Sequence, residues 1–255
     1  MPQQINFHIK ELDSMKKYPD ELFYKGNPSL LNKRKISIIG TRRPSSYTKK
    51  FTHMISSQLS KRNIVIVSGA AIGVDAISHF SAGSENTIAV VANGLDIKYP
   101  AINAKLITSI EENGLMLSAY KNKEKARNYT FVHRNEIVVS LGEVLIVTEA
   151  DEKSGSLTSV KYALDMGKKV YTLPHRLEES KGTQILVSEG FIEPIYNLDK
   201  FLNSFGEISK NDNELTTYIN SFPPYEEALK KYQDKIFELE LEGQIKIENG
   251  YIKPI

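Results

Sequence analysis

Residues 35–45 read KISIIGTRRPS, an apolar run that ends at a glycine and then turns polar and basic. An apolar run without polar alternation is typical of a strand covered on both faces, as in a parallel sheet. The predicted strands are residues 35–39, 64–67, 87–92, 115–118, 144–148 and 169–173. Apolar residues at helical spacing lie between them, for example Phe51, Ile55 and Leu59. The alternation predicts an α/β fold with an extended Rossmann-like, mostly parallel sheet.

The distribution of apolar and polar residues along the chain predicts four segments. They are an N-terminal extension packed on the core (residues 1–34), the Rossmann-like domain (35–205), a polar linker (206–213) and a small winged-helix-like domain (214–255). In the last segment, residues 225–242 have the apolar spacing of one helix. Residues 244–254 then predict a hairpin, because Asn249-Gly250 favours a tight reversal.

Composition excludes several classes of protein. The 255 residues include no cysteine, which excludes disulfide scaffolds, thiolate zinc sites, iron–sulfur clusters and cysteine nucleophiles. The 33 Lys and Arg nearly cancel the 31 Asp and Glu, so a uniformly basic coat is excluded as well. The chain begins without the basic-then-apolar order of a signal peptide, and no apolar run reaches the roughly 18 residues of a membrane span. We therefore expect a cytoplasmic protein with no membrane partner.

Charge is unevenly distributed along the chain. Residues 31–62 hold nine basic residues and no acidic one, and residues 119–135 hold five basic residues and one acid, interleaved with Tyr120, Tyr129 and Phe131. Cations track phosphates and aromatic faces stack on unpaired bases, so the pattern favours single-stranded nucleic acid. A solvated face with core aromatics is the alternative. Residues 206–255 carry a net charge of −4, which suits a protein contact better than DNA.

Small residues follow several predicted strands. They lie in residues 40–45, 68–73, 93–94 and 149–156, at the sheet edge where open α/β folds bind ligands. Their backbone N–H groups could approach a phosphate, although glycines also simply turn the chain from strand to helix. Neither a Gly-x-Gly-x-x-Gly fingerprint nor a P-loop is present.

Catalytic patterns are sparse. Asp75 and His79 stand one helical turn apart and could share a proton or a metal, but an acid near a helix N-terminus bonded to a nearby histidine is the commoner arrangement. The sequence therefore predicts no catalytic residue, metal or cofactor. The alternative function is a nucleotide-processing Rossmann enzyme, such as a phosphoribohydrolase, with Glu149 or Asp75 as its acid.

Ordered motifs resemble those of the DprA/Smf family, the DNA-processing proteins of natural transformation. Residues 40–47 read GTRRPSSY and resemble the first family motif, Gly-Ser-Arg-x-x-Ser-x-Tyr. Residues 68–75 (SGAAIGVD), 94–103 (GLDIKYPAIN) and 131–135 (FVHRN) resemble the following ones, and Glu149-Ala150, SGSLT at 154–158 and Gly182 complete the series. A basic stretch at residues 121–128 replaces a loop that in the family contains proline and glycine.

The resemblance implies a single-stranded DNA-binding protein without enzymatic activity, which protects incoming DNA, forms a homodimer and loads RecA during natural transformation. The candidate DNA-binding residues are Arg42, Arg43, Ser68, Gly69, Lys121, Phe131, His133, Arg134, Asn135, Gly155 and Ser156. We expect Arg42→Ala or Arg134→Ala to weaken DNA binding while leaving folding intact.

Overall fold

The computed structural model of the protein describes residues 2–208, 215–216, 218–219, 221–248 and 250–254. Contacts between Cα atoms divide the chain into two compact units, Met1–Gly206 and Glu207–Ile255. Residues 209–213 of the predicted linker lie outside the described residues. Within the described part of the chain, no helix is both long and apolar enough to cross a membrane.

A single sheet organises the first unit. Its described strands are β1 (Gln3–Gln4), β2 (Phe23–Gly26), β3 (Lys35–Ile39), β4 (Val65–Ser68), β5 (Thr87–Val91), β6 (Leu115–Ser118), β7 (Leu145–Val147), β8 (Val170–Thr172) and β9 (Glu193–Pro194). They are ordered β1-β2-β6-β5-β4-β3-β7-β8-β9. All neighbours from β6 to β9 are parallel, whereas β2 pairs antiparallel with both β1 and β6. The predicted α/β fold with a mostly parallel sheet is confirmed.

Helices cover both faces of this sheet. They are α1 (Ser46–Ser60), α2 (Val74–Ala82), α3 (Ala104–Asn113), α4 (Asn128–Leu141), α5 (Gly155–Asp165), α6 (Lys181–Ser188) and α7 (Leu198–Asn203). Successive strand residues point to opposite faces. In β4, Val65 and Val67 pack in the core cluster that includes α4 and α5, while Ile66 packs in the cluster that includes α1. Burial on both faces explains why these strands are apolar throughout.

Three short strands were not predicted from the apolar pattern of the sequence. β1, β2 and β9 are two to four residues long and contain no fully buried residue, so they lack the apolar run that marks the central strands. β2 nevertheless adds the N-terminal residues to the sheet. Leu12 and Leu30 anchor the same segment, because both are essentially fully buried in the core.

Lys168 fixes the C-terminal end of α4. Its ammonium donates hydrogen bonds to the carbonyl oxygens of Val139 (2.9 Å), Ser140 (2.5 Å) and Gly142 (2.6 Å). These carbonyls lack partners within the helix, and a cation is favoured at the negative end of the helix dipole. The contact holds the helix whose N-terminal half carries Phe131 and Arg134.

The second unit contains α8 (Tyr225–Tyr232), α9 (Asp234–Leu241) and the antiparallel pair β10 (Ile245–Glu248) and β11 (Tyr251–Pro254). The single helix predicted over residues 225–242 is wrong: Gln233 has φ +37°, which no helix accommodates, and it separates α8 from α9. The described core residues are Leu215, Ile219, Ala228, Ile236, Ile245 and Ile252. The winged-helix assignment stays a prediction.

Candidate functional site

The carboxyl ends of β3, β4 and β5 surround a small cavity of about 70 Å³. Its lining residues are Arg42, Gly69, Ala71, Ile72, Val91, Ala92, Asn93, Tyr99, Pro100, Phe131 and Arg134. The loops that follow these strands all contribute to the lining, because parallel strands end at the same edge of a sheet. Phe131 and Arg134 of α4 complete the lining. Four of the predicted site residues, Arg42, Gly69, Phe131 and Arg134, therefore meet in one place.

Phe131 lies between two cations of different character. The guanidinium carbons of Arg42 and Arg134 are 5.8 and 5.9 Å from the centre of its ring. Arg42 is exposed, whereas Arg134 is only 5% exposed. The exposed ring of Tyr99 adds a second aromatic face, 6.1 Å from Phe131. The cavity mouth thus combines a free cation with two aromatic faces, the arrangement that phosphates and bases require.

Hydrogen bonds hold the buried side chain of Arg134 in place. Its Nη1 donates to the carbonyl oxygens of Val90 (3.0 Å) and Gly69, and its Nε donates to the Asn135 side-chain oxygen at 3.0 Å. Burial lowers the pKa of Arg134, and the charge of Asp75 opposes that shift. The guanidinium ties α4 to the ends of β4 and β5 and so fixes the position of Phe131.

Gly69 is a glycine because Arg134 occupies the space beside it. A Cβ added there would overlap the Arg134 guanidinium and come within 2.8 Å of the Asp75 carboxylate. Any side chain at this position would displace the buried arginine. The glycine of the SGAAIGVD motif therefore has a packing role, in addition to lining the cavity.

Asp75 accepts hydrogen bonds from two N–H groups of the same loop. The Gly69 N–H donates to its Oδ2 at 3.2 Å, and the Ala71 N–H also stabilises its charge. Burial raises the pKa of Asp75, and the Arg134 charge opposes that shift. The carboxylate therefore serves as the partner of Arg134 inside the protein.

His79 is a neutral core histidine. Thr87 donates its hydroxyl proton to the carbonyl of Ile66 (2.8 Å), so His79 Nδ1 must donate to Thr87 at 2.6 Å. His79 Nε2 then accepts from the Ala70 N–H at 3.3 Å. Burial and the Arg134 charge lower its pKa to about 3. Asp75 and His79 thus share neither a proton nor a metal, and among the described residues no group of three acids or histidines could hold a metal ion.

The GLDIKYPAIN stretch positions two neighbouring loops. The Asn103 amide donates to the carbonyl oxygens of Ala70 (3.0 Å) and Ala71 (3.1 Å), and so supports the loop that follows β4. The Asp96 carboxylate accepts from the Lys123 N–H, with both oxygens within 3.0 Å, and so holds the basic loop that follows β6. Tyr99, between them, lines the cavity.

Glu149 joins the two halves of the sheet where the strand order reverses, between β3 and β7. Its carboxylate accepts from the Ser45 N–H (3.1 Å) and the Ser45 hydroxyl (3.0 Å), and Ser45 caps α1. On the same side, the Ser156 hydroxyl donates to the Gly40 carbonyl oxygen at 3.0 Å. Both acids considered for catalysis, Glu149 and Asp75, are therefore engaged in structural hydrogen bonds.

The other predicted site residues do not line the cavity. Arg43 is exposed beside Arg42, and Gly155 is exposed at the start of α5. Ser68 is buried and donates to the Ile38 carbonyl oxygen at 2.6 Å. The ammonium of Lys121 pairs with Glu21 at 3.0 Å. His133 and Asn135 are half-buried, with His133 Nδ1 3.1 Å from the Tyr120 hydroxyl.

Of the nine basic side chains in residues 31–62, some have polar partners in the described structure and others do not. Arg34 pairs with Glu143, Lys35 pairs with Glu11, and Arg62 donates to the Gly206 carbonyl. In the described residues no carboxylate forms an ion pair with the exposed Arg42, Arg43, Lys49 and Lys50. These four cations lie just before α1 and in its N-terminal half, whereas the exposed Lys33 lies at the opposite end of β3.

Several lining residues were not named in the sequence-based prediction of the site. They are Ala71, Ile72, Val91, Ala92, Asn93, Tyr99 and Pro100. Ile72, Tyr99 and Pro100 could have been found, because they belong to motifs that follow predicted strands. Val91 carries no such signal, since an apolar residue at a strand end is equally typical of the core.

Comparison with known proteins gives consistent matches. The family profile of DNA recombination-mediator protein A matches residues 4–206. The chain is 38% identical to protein Smf of Synechocystis over 68% of its own length and 44% of that protein. It is 37% identical to the DNA processing protein DprA of Bacillus subtilis over 62% of its length and 54% of the relative. The chain thus spans about half the length of these curated relatives.

Two solved structures share the fold. One is DNA processing protein A of Helicobacter pylori, whose single-stranded DNA binding mode was studied; it superposes with a TM-score of 0.78 at 38% identity, over 80% of this chain and 94% of that one. The other, from Streptococcus pneumoniae, gives a TM-score of 0.70 at 33% identity, over 75% of this chain and 70% of that one.

Arg134→Ala should lower the free energy of unfolding by about 1–3 kcal/mol, because it leaves the buried carbonyl oxygens of Gly69 and Val90 without their donor. Arg42→Ala removes an exposed cation beside the same ring and should change stability by no more than about 0.5 kcal/mol. Urea denaturation measures both. A lower stability of the Arg134 variant alone would contradict the sequence-based expectation that its removal leaves folding intact; equal stability of the two variants would agree with it.

Proposed function

The chain belongs to the DNA recombination-mediator protein A family, and on this premise we propose that it binds single-stranded DNA at the cavity beside Phe131. In the cytoplasm it would protect incoming DNA and load RecA onto it during natural transformation, without enzymatic turnover. The single observation that carries the proposal is the exposed, unpaired Arg42 next to the rings of Phe131 and Tyr99.

The chemistry of the cavity favours a single strand over a duplex. A duplex buries its base faces in the stack, so rings such as Phe131 and Tyr99 have nothing to stack on, whereas a single strand offers unpaired bases. Arg42 offers a planar guanidinium suited to bidentate phosphate contact. Similarity to the Helicobacter pylori protein, described for its single-stranded DNA binding mode, supports the same ligand.

A competition titration tests the ligand class. Labelled oligo-dT bound to the full chain should be displaced by unlabelled single strands and much less by duplex of the same length. Equal displacement by duplex would favour a general polyanion site.

Loading of RecA is supported by family membership alone. RecA-dependent ATP hydrolysis on single strands coated with a single-strand-binding protein, with and without this chain, tests it, and an unchanged rate would count against it.

Arg42→Ala should weaken binding of oligo-dT and reduce the slope of log K against log salt by about 0.7, the value for one phosphate contact on a single strand. Fluorescence anisotropy over a salt series measures both quantities. Lys33→Ala is the matched control, because Lys33 is an exposed cation at the opposite end of β3. Loss of affinity in both variants, or in neither, would contradict a specific role for Arg42.

Gly155→Ala tests whether the DNA backbone reaches the start of α5. An added Cβ would meet no atom within 4 Å, so the variant should be as stable as the native chain or more stable by up to about 1 kcal/mol. If a phosphate contacts the N–H groups of this helix end, the methyl group should obstruct it and lower the affinity for oligo-dT. Unchanged affinity in the folded variant would place the DNA path elsewhere.

A homodimer is the remaining part of the proposal. A largely apolar groove between α5 and α6 supports it. Its lining residues are Leu157, Val160, Lys161, Leu164, Asp165, Leu186 and Phe191. The ring of Phe191 is 55% exposed, and Ile185 is exposed on α6 as well. Apolar surface of this kind is commonly covered by another protein surface.

Phe191→Glu should convert a dimer into a monomer, because it places a charge in the apolar groove. Light scattering coupled to size-exclusion chromatography measures the mass. Leu177→Glu is the control, since Leu177 is 87% exposed and lies outside the groove. A dimer that persists in the Phe191 variant would exclude this surface.

A further inference from the structure

One face of α9 is both acidic and apolar. Asp234, Phe237, Glu238 and Leu241 stand at positions i, i+3, i+4 and i+7, which place them on one side of a helix with 3.6 residues per turn. All four are exposed, with Phe237 at 56% and Leu241 at 75%. We call these four residues the acidic stripe.

The core of the second unit does not use the stripe. Ile236 points the other way and is fully buried, and Leu239 packs beside it against the same core. The helix is therefore anchored by its inner face. Phe237 and Leu241 form an adjacent pair of large apolar side chains that folding leaves in water, which is unfavourable unless a partner covers them.

The carboxylates of the stripe are also unneutralised. In the described part of the chain, neither Asp234 nor Glu238 forms an ion pair. The contrast is Glu248 on the neighbouring hairpin, which lies 2.6 Å from the Lys246 ammonium and 2.7 Å from that of Lys253. Those two lysines lower the pKa of Glu248 to about 2. Negative charge is thus compensated on the hairpin and left free on α9.

We propose that the acidic stripe docks a basic amphipathic helix of a partner protein. Such a helix offers apolar side chains for Phe237 and Leu241 and Lys or Arg for Asp234 and Glu238, so both parts of the stripe find a complement. A nucleic acid would instead bring phosphates against two free carboxylates, which repel them. The inference is independent of the single-stranded DNA proposal, because it uses no residue of the cavity.

The probe is a labelled synthetic helix built only of Leu and Lys, with Leu at i, i+3, i+4 and i+7. It should bind the full chain in anisotropy titrations, whereas the matching Leu and Glu peptide should not. Phe237→Ala with Leu241→Ala should weaken binding about tenfold, equivalent to about 1.4 kcal/mol. Asp234→Lys with Glu238→Lys should weaken it by at least as much.

Glu226→Lys with Glu227→Lys is the matched charge control. Both acids are exposed in the first turn of α8, as Asp234 is in the first turn of α9, so the change in net charge is the same. This variant should keep peptide affinity near that of the native chain. All variants should retain oligo-dT affinity and the native circular dichroism spectrum, which separates loss of docking from unfolding.

Three results would overturn the inference. They are absence of peptide binding to the native chain, equal loss of binding in the stripe variants and the charge control, and duplex DNA binding that the stripe variants abolish. The last would make α9 a DNA-reading helix despite its charge.

Discussion

The buried contact between Arg134 and the loop at Gly69 is the constraint on which the candidate site depends. The Arg134 side chain extends from α4 into space that is open because residue 69 is a glycine. It donates hydrogen bonds to carbonyl oxygens at the ends of β4 and β5. The charge of Asp75 favours the protonated form of Arg134. With this arrangement in place, Phe131 and Arg42 come together at the sheet edge; without it, α4 would lose its hydrogen bonds to the ends of β4 and β5.

Two chemically similar arginines therefore have different tasks. Arg42 keeps its guanidinium in water beside an aromatic ring, as a residue that meets a ligand must. Arg134 is buried away from water, and carbonyl oxygens and a carboxylate stabilise its charge there, as a structural cation requires. The linear sequence marks both only as basic residues in motifs, and the three-dimensional environment separates them.

The central sheet was predictable because strands covered on both faces must be apolar throughout, as residues 35–39 and 64–67 are. β2 was not, since a half-buried strand next to the sheet edge needs no such run. In the site, the charged residues and glycines could be predicted from the motifs, whereas Val91 could not, because its place in the lining depends on where β5 ends. The break at Gln233 escaped notice because a single residue with positive φ leaves the apolar spacing on either side unchanged.

The acceptors that hold Arg134 have a consequence for how this protein can change over time. Two of them are main-chain oxygens, at Gly69 and Val90, which every amino acid carries. Substitution of Val90 by another β-branched residue cannot remove the oxygen that it offers. Among the residues that hold Arg134, tolerance to mutation should consequently be high at Val90 and low at the glycine that provides the space and the aspartate that provides the charge.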